Sequence, residues 1–275
     1  MCSSTLREPI GIRQGSVQIC GVSERPYMLS ETTWHTVRAT RYDVAILPWG
    51  ATEAHNFHLP YATDTMSSAR VAELAAAAAW QRGTRAVVLP AVPFGVNTTQ
   101  LDIPLCINMN PSTQAMVLAD VVHSLEGQGV RKMLIVNGHG GNDFRQMIRE
   151  LQPRTKVFLS TINWWSCVDV SRFIEEPGDH AGEAETSAML HLAPELVRPL
   201  ETAGPGTAKE SRLRGIREGW AWAPRQWTRV TADTGIGDPS RATAEKGAAY
   251  VGAAVERIAD FIVELGLANL DDLYE

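Results

Sequence analysis

The stretch DVAILP at residues 43–48 decides the fold, because this short apolar run ends directly before the polar sequence WGATEAH. Three runs of the same kind follow along the chain: AVVLPAV at 86–92, KMLIVN at 132–137 and KVFLSTI at 156–162. None of them alternates strictly between apolar and polar residues, which is typical of strands that are covered on both faces. We therefore predict that these runs are strands of a parallel sheet.

Helical patterns lie between and after these runs. They cover residues 66–82, 112–128, 142–151, 183–192 and 243–265. Gly83 is placed to end the first of these helices, and Ser112 is placed to cap the second. Strands that alternate with helices favour an α/β fold, in which helices cover both faces of a mostly parallel sheet.

The segment of residues 201–240 breaks this alternation. It is rich in Gly, Pro, Arg and Trp and has no clear periodicity. Because irregular segments of this length are usually functional, we expect a lid over the site or a subunit contact. The chain contains no internal repeat or obvious linker, so we expect residues 1–275 to form a single domain.

Charge and cysteine content restrict the class of protein. The chain of 275 residues has 25 Lys+Arg against 31 Asp+Glu, a net charge of −6, which argues against a nucleic-acid partner. The four cysteines, Cys2, Cys20, Cys106 and Cys167, are scattered as in proteins of reducing compartments. No signal-peptide core and no apolar run long enough for a membrane span is evident. We expect a cytoplasmic protein without a membrane partner.

The first candidate site follows the first predicted strand, in PWGATEAHNFHLPYATDT at residues 48–65. Glu53, His55, His58 and Asp64 lie within twelve residues of one another. They come just after a strand end, where open α/β sheets bind ligands. Carboxylates and imidazoles together suit a divalent metal such as Zn²⁺, Mn²⁺ or Fe²⁺. The alternative is a polar loop with incidental histidines.

The second candidate site follows the third strand, in NGHGGN at residues 137–142. Glycines on both sides of His139 let a backbone approach a ligand closely. Such a turn can also cradle a phosphate, but the segment lacks both the GxGxxG pattern and a P-loop lysine. The segment after the first strand has no Rossmann fingerprint, which argues against an oxidoreductase. Asn142 either binds substrate or caps the following helix.

The third candidate site is GDHAGEAETSAML at residues 178–190, which contains His180, Glu183 and Glu185. The two glutamates are two positions apart, so on a helix they point in different directions. We expect one of them to face the cleft. The other is then a first-turn carboxylate that the helix dipole favours.

The three segments together resemble the creatininase family, also called the creatinine amidohydrolase family. The matching stretches are LPWGATEAHNFHLPYATDT, NGHGGN and HAGEAETSAML, and the resemblance spans residues 30–195. It implies a three-layer α/β/α sandwich with a mostly parallel sheet. It also implies a homo-oligomer, with a hexamer as the expected size.

The resemblance further implies two divalent metal ions per chain, with Zn²⁺ as the first expectation and Mn²⁺ or Fe²⁺ as alternatives. Carried over by position, Glu53, Asp64 and His139 would hold one metal. His55, Asp64 and a further carboxylate would hold the other, so that Asp64 bridges the two. We assign the further carboxylate to Glu185 of the ETS stretch.

Two departures from the name-giving enzymes bear on the substrate. The resemblance implies that in those enzymes the further metal-binding carboxylate comes from two residues after the histidine of the NGH stretch. In this chain that position is Gly141. Residues 97–111, NTTQLDIPLCINMNP, stand where many relatives carry a loop that shapes the substrate pocket. Both departures argue against creatinine as the substrate.

The remaining candidates have supporting roles. His180 is the candidate acid that protonates the leaving nitrogen, or it holds a metal-binding carboxylate by a hydrogen bond. His58 and Glu183 are expected to orient the metal ligands without binding the metal themselves. Trp164 and Trp165 follow the fourth strand, where the resemblance implies a substrate contact.

These expectations predict a metal-dependent amidohydrolase that cleaves a C–N bond of a small amide or formamide, cyclic or linear. Two metal ions bridged by a carboxylate can activate the attacking water. The alternatives are a hydrolase that opens a keto-sugar or lactone ring, and a peptidase of the same family. A non-catalytic, metal-stabilised assembly module is a further alternative, although structural zinc sites are usually rich in Cys and these motifs contain none.

Overall fold

The computed structural model describes residues 25–274, so Cys2, Cys20 and the N-terminal stretch without a signal-peptide core lie outside the described residues. A four-stranded sheet runs through the centre of the described part. The strands are β1 (Val44–Trp49), β2 (Ala86–Val88), β3 (Lys132–Asn137) and β4 (Phe158–Asn163). They are all parallel and lie in the order β2-β1-β3-β4.

The register of the strands aligns three of their carboxyl ends. Trp49 at the end of β1 pairs with Asn137 at the end of β3, and Asn137 pairs with Asn163 at the end of β4. The loops that follow these strands therefore begin at one edge of the sheet. This is the edge at which parallel α/β sheets bind ligands.

The α-helices of residues 25–274 are α1 (Trp34–Ala39), α2 (Thr63–Gln81), α3 (Pro111–Gly127), α4 (Phe144–Leu151), α5 (Glu183–Leu192), α6 (Arg214–Arg217), α7 (Trp227–Val230) and α8 (Ala244–Leu267). Helices α2, α5 and α8 cover one face of the sheet, and α3 and α4 cover the other. Val44 and Ile46 of β1 pack in a core with α2, α5 and α8. Ala45 and Leu47 pack in a second core with α3 and α4. Successive side chains of a strand point to opposite faces, so one buried strand supplies both cores and the predicted three-layer α/β/α fold is confirmed.

Local chemistry moves some element boundaries away from the predicted ones. The strand predicted over 86–92 ends at Val88, shortly before Pro90, which has no N–H to donate to a ladder. The helix predicted from residue 142 begins at Phe144, because the side chain of Asp143 caps it by accepting a hydrogen bond from the Arg145 N–H. The interpretation of Asn142 as the cap is therefore wrong. Helices α1, α6 and α7 were not predicted, since four to six residues are too few to show a period.

The segment of residues 201–240 is largely irregular, as predicted, and Asn56 ties it to the loop after β1. The Asn56 side chain accepts a hydrogen bond from the Gly204 N–H and donates one to the Gly204 carbonyl, at 2.8 and 3.0 Å. Its backbone N–H donates to the Thr234 hydroxyl at 2.8 Å. These contacts hold the segment beside the loop that carries Glu53 and His55. Among the helices of residues 25–274, none is long and apolar enough to span a membrane.

Candidate metal centre

The candidate metal ligands come from four places in the chain and meet at the carboxyl edge of the sheet. Glu53 and His55 lie in the loop after β1, and Asp64 lies in the first turn of α2. His139 follows β3, and Glu185 lies in the first turn of α5. The structure brings these residues close enough to form two overlapping ligand groups, one of Glu53, Asp64 and His139 and one of His55, Asp64 and Glu185.

Asp64 belongs to both groups through different oxygens. Its Oδ2 lies 3.0 Å from His139 Nδ1, and its Oδ1 lies 3.0 Å from His55 Nε2. Glu53 Oε1 also lies 3.0 Å from His139 Nδ1. Within each group the possible ligand atoms lie within 4.8 Å of one another. One carboxylate thus faces two imidazoles at once, which is the arrangement of a bridging ligand.

Backbone carbonyls fix which ring nitrogen of each imidazole faces the carboxylates. His55 Nδ1 lies 3.1 Å from the Glu53 carbonyl, which leaves Nε2 toward Asp64. His139 Nε2 lies 3.1 Å from the Val96 carbonyl, which leaves Nδ1 toward Glu53 and Asp64. A carbonyl accepts only from a protonated nitrogen, so the second nitrogen of a neutral ring has its lone pair free. Metal-binding histidines are oriented in this way by their surroundings.

The site carries opposite charges in a dry environment. Burial raises the pKa of Asp64, but His55 and His139 outweigh it and hold this pKa far below its usual range. Burial lowers the pKa of His55, but Asp64 and its carboxylate neighbours outweigh it and raise the pKa to about 10. Burial likewise opposes protonation of His139, and Glu53 and Asp64 raise its pKa well above the usual value. The carboxylates therefore require positive charge beside them.

Divalent metal ions fit this residue set. Asp64 Oδ2 is buried, and it has no donor among residues 25–274 when the His139 ring is neutral, because Nε2 then carries the proton that faces the Val96 carbonyl. A buried carboxylate oxygen without a donor is costly, and a cation between the imidazole and the carboxylate removes that cost. Oxygen and imidazole nitrogen donors without thiolate suit Zn²⁺, Mn²⁺ or Fe²⁺.

Metal binding at pH 7 is expected to release protons. With a pKa near 10, His55 is protonated at pH 7 in chelator-treated protein, whereas a metal binds the neutral ring. Because the pKa of His139 is also raised, one proton should leave from each imidazole, and affinity should increase as the pH rises towards 10. Calorimetric titration with Zn²⁺ in two buffers of different ionisation enthalpy measures this release. Equal heats in both buffers would contradict it.

Gln100 positions Glu53, and sequence reasoning missed it. Its side-chain N–H donates to Glu53 Oε2, and the residue is buried. The Cys106 thiol donates to Gln100 Oε1 at 3.3 Å and accepts from the Ala54 N–H at 3.3 Å. Each of these contacts involves Gln100 or Cys106, and both residues belong to the stretch 97–111 that departs from the family pattern. That departure was the one signal in the sequence that pointed to this part of the site.

Replacing Gln100 with leucine is expected to weaken metal binding about 10- to 100-fold, as removal of such outer contacts usually does. The reason is that Glu53 Oε2 loses its donor while the volume of the side chain is kept. Competition with a fluorescent chelator measures the affinity. Leu105→Ala in the same loop is the control, because Leu105 is exposed. Unchanged affinity in Q100L, or an equal loss in L105A, would show that Gln100 does not hold Glu53.

His180 lies against the metal ligands and is held in a fixed orientation. Its Nε2 lies 2.8 Å from the Ala54 carbonyl, and its Nδ1 lies 3.8 Å from Glu53 Oε1. Its ring is 4.2 Å from the His55 ring, and the Trp227 ring contacts it edge-on at 5.2 Å. Glu53, His55 and His180 also form a third possible ligand group. Trp227 lies in the irregular segment, and no pattern in the sequence linked it to this histidine.

The two glutamates of α5 separate as expected from their spacing. Glu185 lines the site and joins His55 and Asp64 in a ligand group. Glu183 is fully buried elsewhere, where it accepts hydrogen bonds from Lys246 at 2.6 Å and from the Glu176 N–H at 2.9 Å. Glu183 therefore anchors the start of α5 to α8 and belongs to none of the three ligand groups.

His58 and Asn142 are both buried and both bind other protein groups. His58 Nε2 lies 2.8 Å from the Thr186 hydroxyl of α5, and burial lowers the pKa of His58 to about 4. The Asn142 amide accepts from the Val96 N–H and from Gln114, and donates to the Gly50 carbonyl and to Asn137. Asn142 thus joins the loops at the strand ends and does not line the cavity beside the metal ligands.

Gly141 has no room for a side chain. A Cβ atom there would press against the Val96 carbonyl and would lie 2.5 Å from His139 Nε2. A carboxylate at this position would therefore displace His139. The geometry thus leaves no room at Gly141 for the carboxylate that the resemblance puts at this position, and Glu185 is a carboxylate within ligand distance of His55 and Asp64.

A cavity of about 290 Å³ opens beside the ligands. Its lining includes the polar residues Glu53, Asp64, His139, His180 and Glu185. It also includes three aromatic residues, namely Trp164, Trp165 and Tyr250. The Trp164 indole N–H is buried and has no hydrogen-bond partner among residues 25–274.

A parallel α/β/α sandwich with carboxylates and imidazoles gathered at the carboxyl edge of its strands defines a class of metal-dependent hydrolases. A family model described as "Creatininase: Creatinine amidohydrolase" matches residues 30–262, and the chain belongs to the creatininase family. A solved structure of a putative creatinine amidohydrolase from Bacteroides fragilis is 44% identical and superposes with a TM-score of 0.86, covering 92% of this chain and 100% of that one.

Two further relatives are named for different substrates. The mycofactocin precursor peptide peptidase of Mycolicibacterium smegmatis is 28% identical over 222 residues, which are 80% of this chain and 84% of that protein. The 3-dehydro-scyllo-inosose hydrolase of Thermotoga maritima is 28% identical over 173 residues, 58% of this chain and 53% of that protein. The names of these two relatives both describe hydrolytic enzymes, but the substrates in the two names differ.

Proposed function

We propose that this chain is a metal-dependent amidohydrolase, which hydrolyses the C–N bond of a small amide or formamide other than creatinine. The observation that carries the proposal is one cavity that is lined both by four of the five proposed ligands, Glu53, Asp64, His139 and Glu185, and by His180. When bound, the metal ions supply polarisation of the carbonyl and a water of lowered pKa. The proposed ligands are Glu53, His55, Asp64, His139 and Glu185.

The proposed role of His180 is to move a proton at Nδ1. Because its Nε2 is held by the Ala54 carbonyl, Nδ1 is the nitrogen that faces the site. A leaving nitrogen needs a proton when a C–N bond breaks, whereas a leaving alkoxide needs one less urgently. A fixed imidazole beside the ligands therefore supports an amide substrate.

The size of the cavity limits how much of a substrate can lie beside the proposed metal ligands. At about 290 Å³ it is at the small end of the range for ligand pockets, so it holds the amide and a few neighbouring atoms. Trp164, Trp165 and Tyr250 add aromatic surface to the lining of the same cavity, which suits a flat amide group. A larger substrate, such as a peptide, must extend out of this cavity.

A substrate panel tests the proposal. Protein loaded with Zn²⁺ or Mn²⁺ is assayed against N-formylglycine, hydantoin, creatinine, glycylglycine and glucono-δ-lactone, and Asp64→Ala serves as the inactive control. We expect hydrolysis of at least one compound with an amide C–N bond, no turnover of creatinine, and loss of activity with a chelator. Turnover of the lactone alone would favour the ring-opening alternative. Metal-loaded protein that is inert towards the whole panel would favour the assembly module.

A further inference from the structure

A second cavity, of about 900 Å³, lies in the segment of residues 201–240 and is lined by an excess of cationic side chains. They are Lys209, Arg212, Arg217, Arg225 and Arg229, against the single carboxylate of Glu210. We call it the cationic groove. The whole chain has a net charge of −6, so this concentration of positive charge runs against the overall composition.

Most of this charge is not compensated by the protein. Arg217 lies 4.0 Å from Glu210, and Arg225 pairs with Asp179. The side chains of Lys209, Arg212 and Arg229 form no ion pair with any residue between 25 and 274. Like charges that share a groove repel one another, and an anion in the groove relieves that repulsion.

Arg225 joins the cationic groove to the metal centre, because it lines both cavities. Its guanidinium lies 4.6 Å from the centre of the Trp227 ring, and its Nη1 is 2.5 Å from Asp179 Oδ2. Asp179 directly precedes His180, and Trp227 contacts the His180 ring. The ring of Trp227 and the carboxylate of Asp179 thus hold Arg225, which lines both cavities, in place.

We propose that the cationic groove binds a carboxylate at the far end of the substrate, while the amide of the same molecule lies in the metal cavity. This inference rests on the proposed function and narrows it to amides that carry an anionic group several bonds from the C–N bond that breaks. The groove supplies guanidinium groups, whose planar array of donors matches the two oxygens of a carboxylate or phosphate. The small metal cavity requires that the rest of a longer substrate extend out of it, and Arg225 lines both this cavity and the groove.

Matched probes test this inference. N-formyl-glycyl-glycine carries the carboxylate, and N-formyl-glycyl-glycinamide has the same shape without the charge. N-formyl-glycyl-aminomethylphosphonate keeps the same backbone and has a phosphonate in place of the carboxylate, so it serves as the phosphate probe and separates a preference for carboxylate from a preference for phosphate. In the wild-type enzyme we expect kcat/KM for the acid to exceed that for the carboxamide about tenfold, as for a charge-assisted contact. A phosphate probe that exceeds the acid would overturn the assignment to carboxylate.

Variants test which side chains cause the expected preference for the acid over the carboxamide. Lys209→Gln with Arg229→Gln should lower kcat/KM for the acid about tenfold through KM and leave the carboxamide unchanged. Because Arg225 also lines the metal cavity, Arg225→Gln should lower kcat/KM for the acid more than for the carboxamide. Arg82→Gln is the matched control, because the Arg82 side chain is 41% exposed against 47% for Arg225 and pairs with Asp260 away from both cavities. A loss of equal size in R82Q would overturn the inference.

A binding measurement separates this inference from the proposed function. If no probe is hydrolysed, calorimetric binding of the acid and of the carboxamide still compares their affinities for the groove in metal-loaded protein. Tighter binding of the acid that is lost in R225Q supports the groove even without turnover. Equal binding of the acid and the carboxamide overturns it, whether or not either of them is cleaved.

Discussion

Replacing Asp64 with alanine is expected to remove both bound metal and hydrolytic activity. Asp64 is buried and offers one oxygen to His139 and the other to His55, so its loss breaks both ligand groups at once. Removing a hydrogen-bond partner of a metal ligand typically lowers metal affinity about 10- to 100-fold. Removing the shared ligand itself should therefore lower metal affinity more than about 100-fold. Metal analysis and kcat/KM on the best substrate of the panel measure the two losses.

Asp120→Ala is the control for this variant, because Asp120 lies exposed on α3, away from the cavity. It should keep the metal content and activity of the wild type. Circular dichroism and thermal melting establish that the Asp64 variant is folded. A folded Asp64→Ala protein that keeps its metal and its activity would refute the assignment of Asp64 as the shared ligand.

Replacing His180 with glutamine should slow turnover by about 10²- to 10⁴-fold, the usual worth of a positioned acid or base, while the metal stays bound. The prediction follows from geometry, since His180 Nδ1 is 3.8 Å from Glu53 Oε1 whereas His139 Nδ1 is 3.0 Å away. The other nitrogen of His180 is already engaged by the Ala54 carbonyl. A glutamine amide can keep a contact to that carbonyl but cannot transfer a proton.

Turnover and metal content together distinguish the two possible roles of His180. If His180 is the acid, H180Q should lose turnover while its metal content stays at the wild-type value. Glu53, His55 and His180 also lie within ligand distance of one another. Loss of a metal ion from H180Q would make His180 a ligand and would contradict the proton-transfer role.

The sequence predicted the strands and the parallel sheet because a strand buried on both faces leaves a continuous apolar run. DVAILP at 43–48 and KMLIVN at 132–137 show such runs, and β1 and β3 lie there within one residue. It also predicted which side chains meet at the sheet edge, since Glu53, His55 and His139 directly follow strands whose ends the register aligns. The single-domain organisation and the homo-oligomer stay predictions.

Other parts of the site depend on contacts between distant segments, and no local pattern reports those. The spacing of Glu183 and Glu185 could not decide which faces the cleft, because the decision comes from Lys246 on α8. Gln100 lies in an irregular stretch and Trp227 begins the four-residue helix α7, and neither has a periodicity that says which way a side chain points. Their places beside Glu53 and His180 exist only once the loops have packed.

The metal content of the wild-type chain tests the central claim most directly. Purified protein is loaded with Zn²⁺ or Mn²⁺, dialysed against metal-free buffer, and analysed by inductively coupled plasma mass spectrometry together with its protein concentration. The overlapping ligand groups around Asp64 predict two metal ions per chain, both removed by a chelator together with the activity. Folded protein that retains no metal after loading would contradict the account.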